Sequence, residues 1–212
     1  MSAVGDFFGR LQAELESKFG PDPPSPCVPC AAKALKVWRA TNKATIDKAL
    51  ASQKAMLSAK KIELERWNDA DKTAFTKAFG VADDDAAKKT ISDRVKAMLK
   101  LNSVMTEDNF KPADPSKPDR FAYVTPTDTT HTVYLDTAFG TAGDLGQDSK
   151  AGVMAHEMSH FNDVGKTKDK FADYQDNAAV YGLTASRELA AARPDLALRH
   201  ADSFEYYVEN VP

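Results

Sequence analysis

Apolar residues recur at helical spacing along most of the first hundred positions. Phe7, Phe8, Leu11 and Leu15 predict a short amphipathic helix over residues 6–18. Pro21, Pro23, Pro24 and Pro26 then break it, because proline lacks the N–H that a helix interior needs. From Ala31 to about Trp67 the helical pattern returns with no internal Gly or Pro. Leu35, Val37, Trp38, Ile46, Ala49, Leu50, Met56, Leu57 and Ile62 form its predicted buried stripe. A second helix is predicted from Asp69-Ala70-Asp71, acids that suit a helix start, through Phe75 and Phe79 to Gly80. A third covers roughly 84–101, with Ile91, Val95, Met98 and Leu99 on one side.

The pattern changes after Asn102. Pro112, Pro115 and Pro118 mark a loop, and Phe121–Val124 and Thr132–Leu135 read as two neighbouring strands. Gly140, Gly143 and Gly146 lead to a helix from about Ser149 to Asn162. Further helical patterns cover 174–192 and 194–208, divided at Arg193-Pro194. Helices, a small sheet, then helices predict a mainly helical α+β fold, with the sheet beside the 149–162 helix. Residues 1–30 then form an N-terminal helix and Pro-rich linker, 31–105 a helical part and 106–212 the part that carries the chemistry. Residues 31–212 are expected to make one compact domain.

Composition narrows the function. A net charge of −3 and a pI near 5.8 argue against a nucleic-acid partner, which leaves a basic footprint. No apolar run approaches the 18 or so residues of a membrane span. The N-terminal residues lack the basic start and apolar stretch of a secretory signal. That predicts an internal protein, export by a non-classical route, or removal of a leader. Cys27 and Cys30 read as a local disulfide or two thiols beside a proline-rich turn, so stability must come from packing.

The informative chemistry is His156-Glu157-Met158-Ser159-His160. Histidines four apart share one helix face, so both rings can hold one ion, and imidazole nitrogen suits zinc. A catalytic zinc takes one more protein ligand and leaves a position for water, which Glu157 stands next to and could deprotonate. Asp163 and Lys166 occupy the Gly and His positions of a metzincin, which excludes that class. A thermolysin-like site would use Glu188; Asp163, Asp169, Asp173 and Asp176 offer other third ligands, and spacing does not choose among them. His131 and His200 read as surface or packing histidines. Asp202, with Ser203 and Glu205 behind it, could cap a last helix.

Beyond the two histidines, Thr167 and Asp169 fit a G-T-x-D-x-x-Y-G motif, with Lys166 at its Gly and Ala172 at its Tyr. A Tyr-Gly pair follows only at Tyr181-Gly182, as though about nine residues had been inserted. Ala201-Asp202-Ser203-Phe204-Glu205-Tyr206-Tyr207-Val208-Glu209-Asn210 is similar to A-D-S-x-E-Y-F-x-E-N. On these residues the chain resembles the aspzincins, the deuterolysin and peptidyl-Lys metallo-endopeptidase family. The resemblance is strong over 130–212, weaker over 67–130, and absent before Ala31. It implies a zincin-like fold and one zinc ion per chain held by His156, His160 and Asp169. It also implies Glu157 and Tyr181 as catalytic residues, with Tyr174 the rival tyrosine. Asp202 and Glu205 would form a pocket for a lysine just after the cut bond of a protein or peptide substrate. The family's disulfides are missing. Together with the N-terminal composition, this suits a secreted toxin or effector with a secretion-system or immunity partner. The competing readings are a zinc-binding protein without protease activity and a helical interaction module.

Overall fold

The computed structural model describes residues 28–114 and 120–211; the helix expected over 6–18 and Cys27 lie outside the described residues. Two units divide the chain, Met1–Lys36 and Val37–Pro212. The first is represented by the opening residues of α1 (Val28–Arg66), where Cys30 is disulfide-bonded. The remaining elements belong to the second.

Within the second unit α1 buries Ile46, Ala49, Leu50, Gln53, Leu57, Lys60 and Leu64, three or four apart as one helix face requires. Val37 and Ile62, expected in that stripe, are exposed, and two polar residues hold core positions instead. Gln53 accepts from Asn102 Nδ2 at 2.7 Å. Lys60 donates to Glu63 at 2.7 Å and Asn210 at 3.1 Å, over the ring of Tyr207. Polar groups that find partners inside cost little to bury, and apolar periodicity does not reveal those partners.

Helix α2 (Asp69–Phe79) begins with a reciprocal capping box between Asn68 and Asp71 and ends at Gly80, at φ 72°. Phe75 and Phe79 pack on each other and on Tyr207. Helix α3 (Asp85–Asn102) is capped by Asp84 and buries Ile91, Val95 and Met98. The sheet is β1 (Phe110–Pro112), β2 (Ala122–Val124) and β3 (Val133–Leu135), in the order β1-β3-β2. β1 runs parallel and β2 antiparallel to β3. The two expected strands are β2 and β3. β1 falls where prolines predict a loop; an edge strand tolerates Pro112, which cannot donate to a ladder.

After the short α4 (Thr137–Thr141) comes α5 (Lys150–His160), capped by Ser149 and buried along all 11 residues. It packs against β2 and against α8 (Ala201–Val208), with α3 and α4 alongside. Gly152 permits the approach of α8: a Cβ there would stand 1.9 Å from Glu209 Oε1. The helix expected over 174–192 is confined to α6 (Leu183–Ala192). Gln175, Asp176 and Asn177, at φ 46°, 52° and 62°, lie in the left-handed region and cannot continue a helix. The 194–208 pattern divides into α7 (Pro194–Ala197) and α8. The observed class is the expected one, mainly helical α+β with a small sheet beside α5.

The Gly80 turn gives a direct test of the α2–α6 contact. A Cβ at Gly80 would stand 1.8 Å from the Ala190 carbonyl oxygen, in a backbone conformation that only glycine adopts freely. Gly80→Ala should lower the unfolding free energy by about 2 kcal/mol or more in urea titration. A loss under about 0.5 kcal/mol would mean that the turn relaxes without cost.

Candidate metal centre

The helical repeat of α5 stacks the His156 and His160 rings edge to face, 4.9 Å between centroids. Their Nε2 atoms converge on Asp169 Oδ1, at 3.3 Å from His156 and 3.5 Å from His160. Ligand atoms about 2.0–2.1 Å from a tetrahedral zinc stand about 3.3–3.4 Å from one another. The two distances to Asp169 thus match edges of a zinc tetrahedron, and the three ligand atoms all lie within 4.8 Å of one another. Asp169 Oδ1 is buried and, among the described residues, meets only the two Nε2 atoms, a convergence that a shared ion would satisfy. Two imidazoles and a carboxylate are a donor set that zinc takes readily, and these residues fit it.

Contacts behind the rings orient them. The Nδ1–H of His160 donates to the Thr167 carbonyl oxygen at 2.9 Å, with Thr167 Oγ1 at 3.2 Å. Thr167 Oγ1 meets Ser159 Oγ at 2.5 Å, and Ser159 donates to the His156 carbonyl oxygen at 2.6 Å. The Nδ1–H of His156 donates to Glu205 Oε2 at 3.1 Å, and Asp202 Oδ1 lies 2.9 Å from the same nitrogen. With Nδ1 the donor in each ring, Nε2 is left to bind metal. Burial alone would lower the His156 pKa, but Asp169, Asp202 and Glu205 outweigh it and hold the imidazole well above its ordinary value. Asp169 is held below the usual carboxylate range: burial opposes this, and the neighbouring His156 and His160 prevail.

The chain after α5 is held on both sides of Asp169. Thr167 N–H donates to the Ser159 carbonyl, Lys168 N–H to that of Arg199, and Ala201 N–H to that of Lys168. Val180 N–H donates to the Asp169 carbonyl at 2.8 Å, and Lys170 bridges to Ala179. Residues 171–179, which overlap the stretch of about 172–180 that reads as an insertion, thus leave and return through one narrow neck. Tyr181 comes back to the cluster, its hydroxyl donating to Asp169 Oδ2 at 3.3 Å. Burial first, then Asp169, raises its phenol to about 12, so it stays protonated. Tyr174 packs instead with Phe171, Val180 and Leu189, outside the cleft. Glu188 is exposed on α6 and takes no part in the cluster, which removes the thermolysin-like arrangement. Asp163 pairs with His131 and Asp173 with Arg193, while Asp176 is exposed.

These side chains line a cleft of about 920 Å³, walled on one side by Ala122, Tyr123 and Val124 of β2. Glu157 faces it, and no hydrogen bond engages its carboxylate among the described residues; burial raises its pKa. Asp202 is not the cap of α8. That cap is His200, whose Nδ1 accepts from Ser203 N–H while Nε2 donates to the Val180 carbonyl. Asp202 Oδ2 accepts from Gly182 N–H at 2.6 Å. Glu205 Oε1 is buried with no hydrogen-bond partner among the described residues, and burial pushes the Glu205 carboxyl up to about 7. Sequence reasoning gave no role to Ser159 or Thr167 and passed over the Tyr206–Asp148 hydrogen bond on the cleft wall. Only the Thr of the G-T-x-D pattern signalled any of them.

A buried His-Glu-x-x-His helix beside a small sheet is the arrangement of a zincin-like fold. Residues 65–209 match the family described as lysine-specific metallo-endopeptidase, and the chain belongs to that family, the aspzincins. A zinc peptidase from Grifola frondosa superimposes with a TM-score of 0.64 at 28% identity, over 80% of this chain and 95% of that one. A peptidyl-Lys metalloendopeptidase of Grifola frondosa is 45% identical over 92 residues, 43% of this chain and 24% of the relative. An extracellular protease of Aeromonas hydrophila is 44% identical over 96 residues, 45% of this chain and 25% of the relative. The matched stretch is thus about a quarter of either relative's length.

The geometry predicts one zinc per chain, measured by metal analysis after dialysis. Asp169→Ala should bind it at least about a hundredfold more weakly, since a ligand and its charge are both lost. Glu188→Ala should keep full occupancy; the reverse pattern would show that Asp169 is not a ligand.

Proposed function

We propose that this chain is a zinc metallo-endopeptidase that cuts peptide bonds on the amino side of lysine. One observation carries the reading: the Nε2 atoms of two histidines converge on one buried Asp169 oxygen at 3.3 and 3.5 Å, with Glu157 in the same cleft. His156, His160 and Asp169 would hold the ion. When bound, zinc supplies Lewis acidity, making a water more acidic and the scissile carbonyl more electrophilic. Glu157 accepts the proton of the attacking water and passes it to the leaving amine; burial raises its pKa, which makes it a stronger proton acceptor than an exposed carboxylate. Tyr181, protonated and at the cleft, donates a hydrogen bond to the oxyanion. The name of the Aeromonas relative supports action outside the producing cell.

Lysine preference is supported by Glu205 and by the names of the Grifola relative and the family. Glu205 lines the cleft, and its buried Oε1, without a hydrogen-bond partner among the described residues, leaves the carboxyl an unmet acceptor that an ammonium group would satisfy. Asp202 adds negative charge but has both oxygens engaged, by His156 and by Gly182. Arginine is longer and planar and fits a point-charge site less well.

Three measurements test this reading. Glu157→Gln should retain zinc and lose activity on casein by about a hundredfold or more, and near-normal turnover would sink the general-base role. Tyr181→Phe should lose about 10²–10³ in kcat with zinc affinity intact, while Tyr174→Phe should match the parent. The opposite ranking would transfer the role to Tyr174. Mass-spectrometric mapping of cuts in a denatured protein mixture should show lysine enriched just after the cut. Glu205→Gln should reduce that enrichment about tenfold or more without emptying the metal site. A profile indifferent to lysine would leave a metallo-endopeptidase of other specificity.

A further inference from the structure

We propose that Arg94 is a positioning residue for the metal centre: its guanidinium ties the turn after His160 to the turn before Asp202 and so sets where Asp169 stands. The inference rests on the zinc reading above. Arg94 reaches out of α3 and is 3% exposed, with no carboxylate in ion-pair contact among the described residues. Burial pushes it down to about 10, so it stays charged near neutral pH. Its Nη2 donates to the Leu198 carbonyl at 2.8 Å and faces that of Gly165 at 3.4 Å. Its carbon end lies 5.1 Å above the Phe204 ring. Nε and Nη1 have no hydrogen-bond partner among the described residues.

A buried charge with two idle donors is a poor way to fill a core, since an apolar side chain of similar volume would pack there at less cost. What the guanidinium contacts explains its presence. Gly165 lies two residues before Thr167, the acceptor for His160 Nδ1–H. Leu198 precedes Arg199, whose carbonyl holds Lys168 N–H, and Ala201 holds the Lys168 carbonyl in turn. Phe204 sits between Asp202 and Glu205, the two acids behind His156. One fixed cation therefore meets the three segments that present Asp169 and orient both histidines. Gly165 lets the turn close on both neighbours: a Cβ there would stand 2.5 Å from the Ser159 carbonyl oxygen and 2.8 Å from Arg94 Nε.

The test compares Arg94→Met and Arg94→Lys with the parent chain. Zinc affinity is measured by chelator competition, and thermal unfolding and amide hydrogen exchange are followed on metal-free protein. Arg94→Met should melt at or above the parent temperature. Its Thr167 and Lys168 amides should exchange about tenfold faster while those of α5 do not change, and zinc should bind about tenfold more weakly. Arg94→Lys, able to reach one carbonyl, should fall between. Unchanged exchange and zinc affinity in folded Arg94→Met would overturn the proposal. So would a uniform acceleration that includes α5, which marks a residue of general stability. Should Arg94→Met fail to fold, Arg94→Lys decides by the same two measurements: parental values overturn the proposal, and local acceleration supports it. A parent chain that holds no zinc would remove the metal reading, and the exchange measurement would still decide whether Arg94 orders residues 165–169.

Discussion

A helix buried on every side can carry polar side chains only where the surrounding chain supplies each a partner. That constraint governs α5. Lys150 donates to the Ala142 carbonyl, Ser159 is held by Thr167 and the His156 carbonyl, and each histidine has an acceptor at Nδ1. The segments that meet these demands are the turn after α4, the 161–170 turn and α8. Glu157 is the exception. Its carboxylate is buried, takes no hydrogen bond among the described residues and opens onto the cleft, where an unmet polar group marks a candidate for function.

α8 answers α5 along one stripe. Asp202, Glu205 and Glu209 fall three and four residues apart and share a face. Glu209 accepts from Ser149 N–H, Ser149 Oγ–H and Asp148 N–H at the start of α5, where a helix favours negative charge. Glu205 and Asp202 reach His156 further along. Crowding three acids on one face has a visible cost, since burial pushes Glu205 and Glu209 each up to about 7.

Much of this was legible in the sequence where local rules decide. The helices starting at Asp69 and ending at Gly80 declare themselves through caps, and His156 and His160 through their spacing. The choice of Asp169 over Glu188 was not, because spacing along the chain says nothing about which acid folds back onto a helix. Family resemblance supplied that choice, and the converging distances agree with it. The exposure of Val37 and Ile62 and the burial of Gln53 and Lys60 depend on partners 40 or more residues away, such as Asn102 and Asn210. His200 as the cap of α8 shows the same limit. Asp and Ser lead the usual ranking of caps, and a tertiary hydrogen bond to Val180 decides for the imidazole.

The neck at Asp169–Val180 has a consequence for how the chain can vary. Because Lys170–Ala179 and Val180–Asp169 close its base, the excursion between them can change length without moving the residues that flank it. Its tip, three consecutive residues in the left-handed region, is exposed and held to the body through the Arg193–Asp173 pair. Lineages could therefore lengthen, trim or recharge this arm as a freely evolving module, adapting what approaches the cleft while the atoms below keep their places.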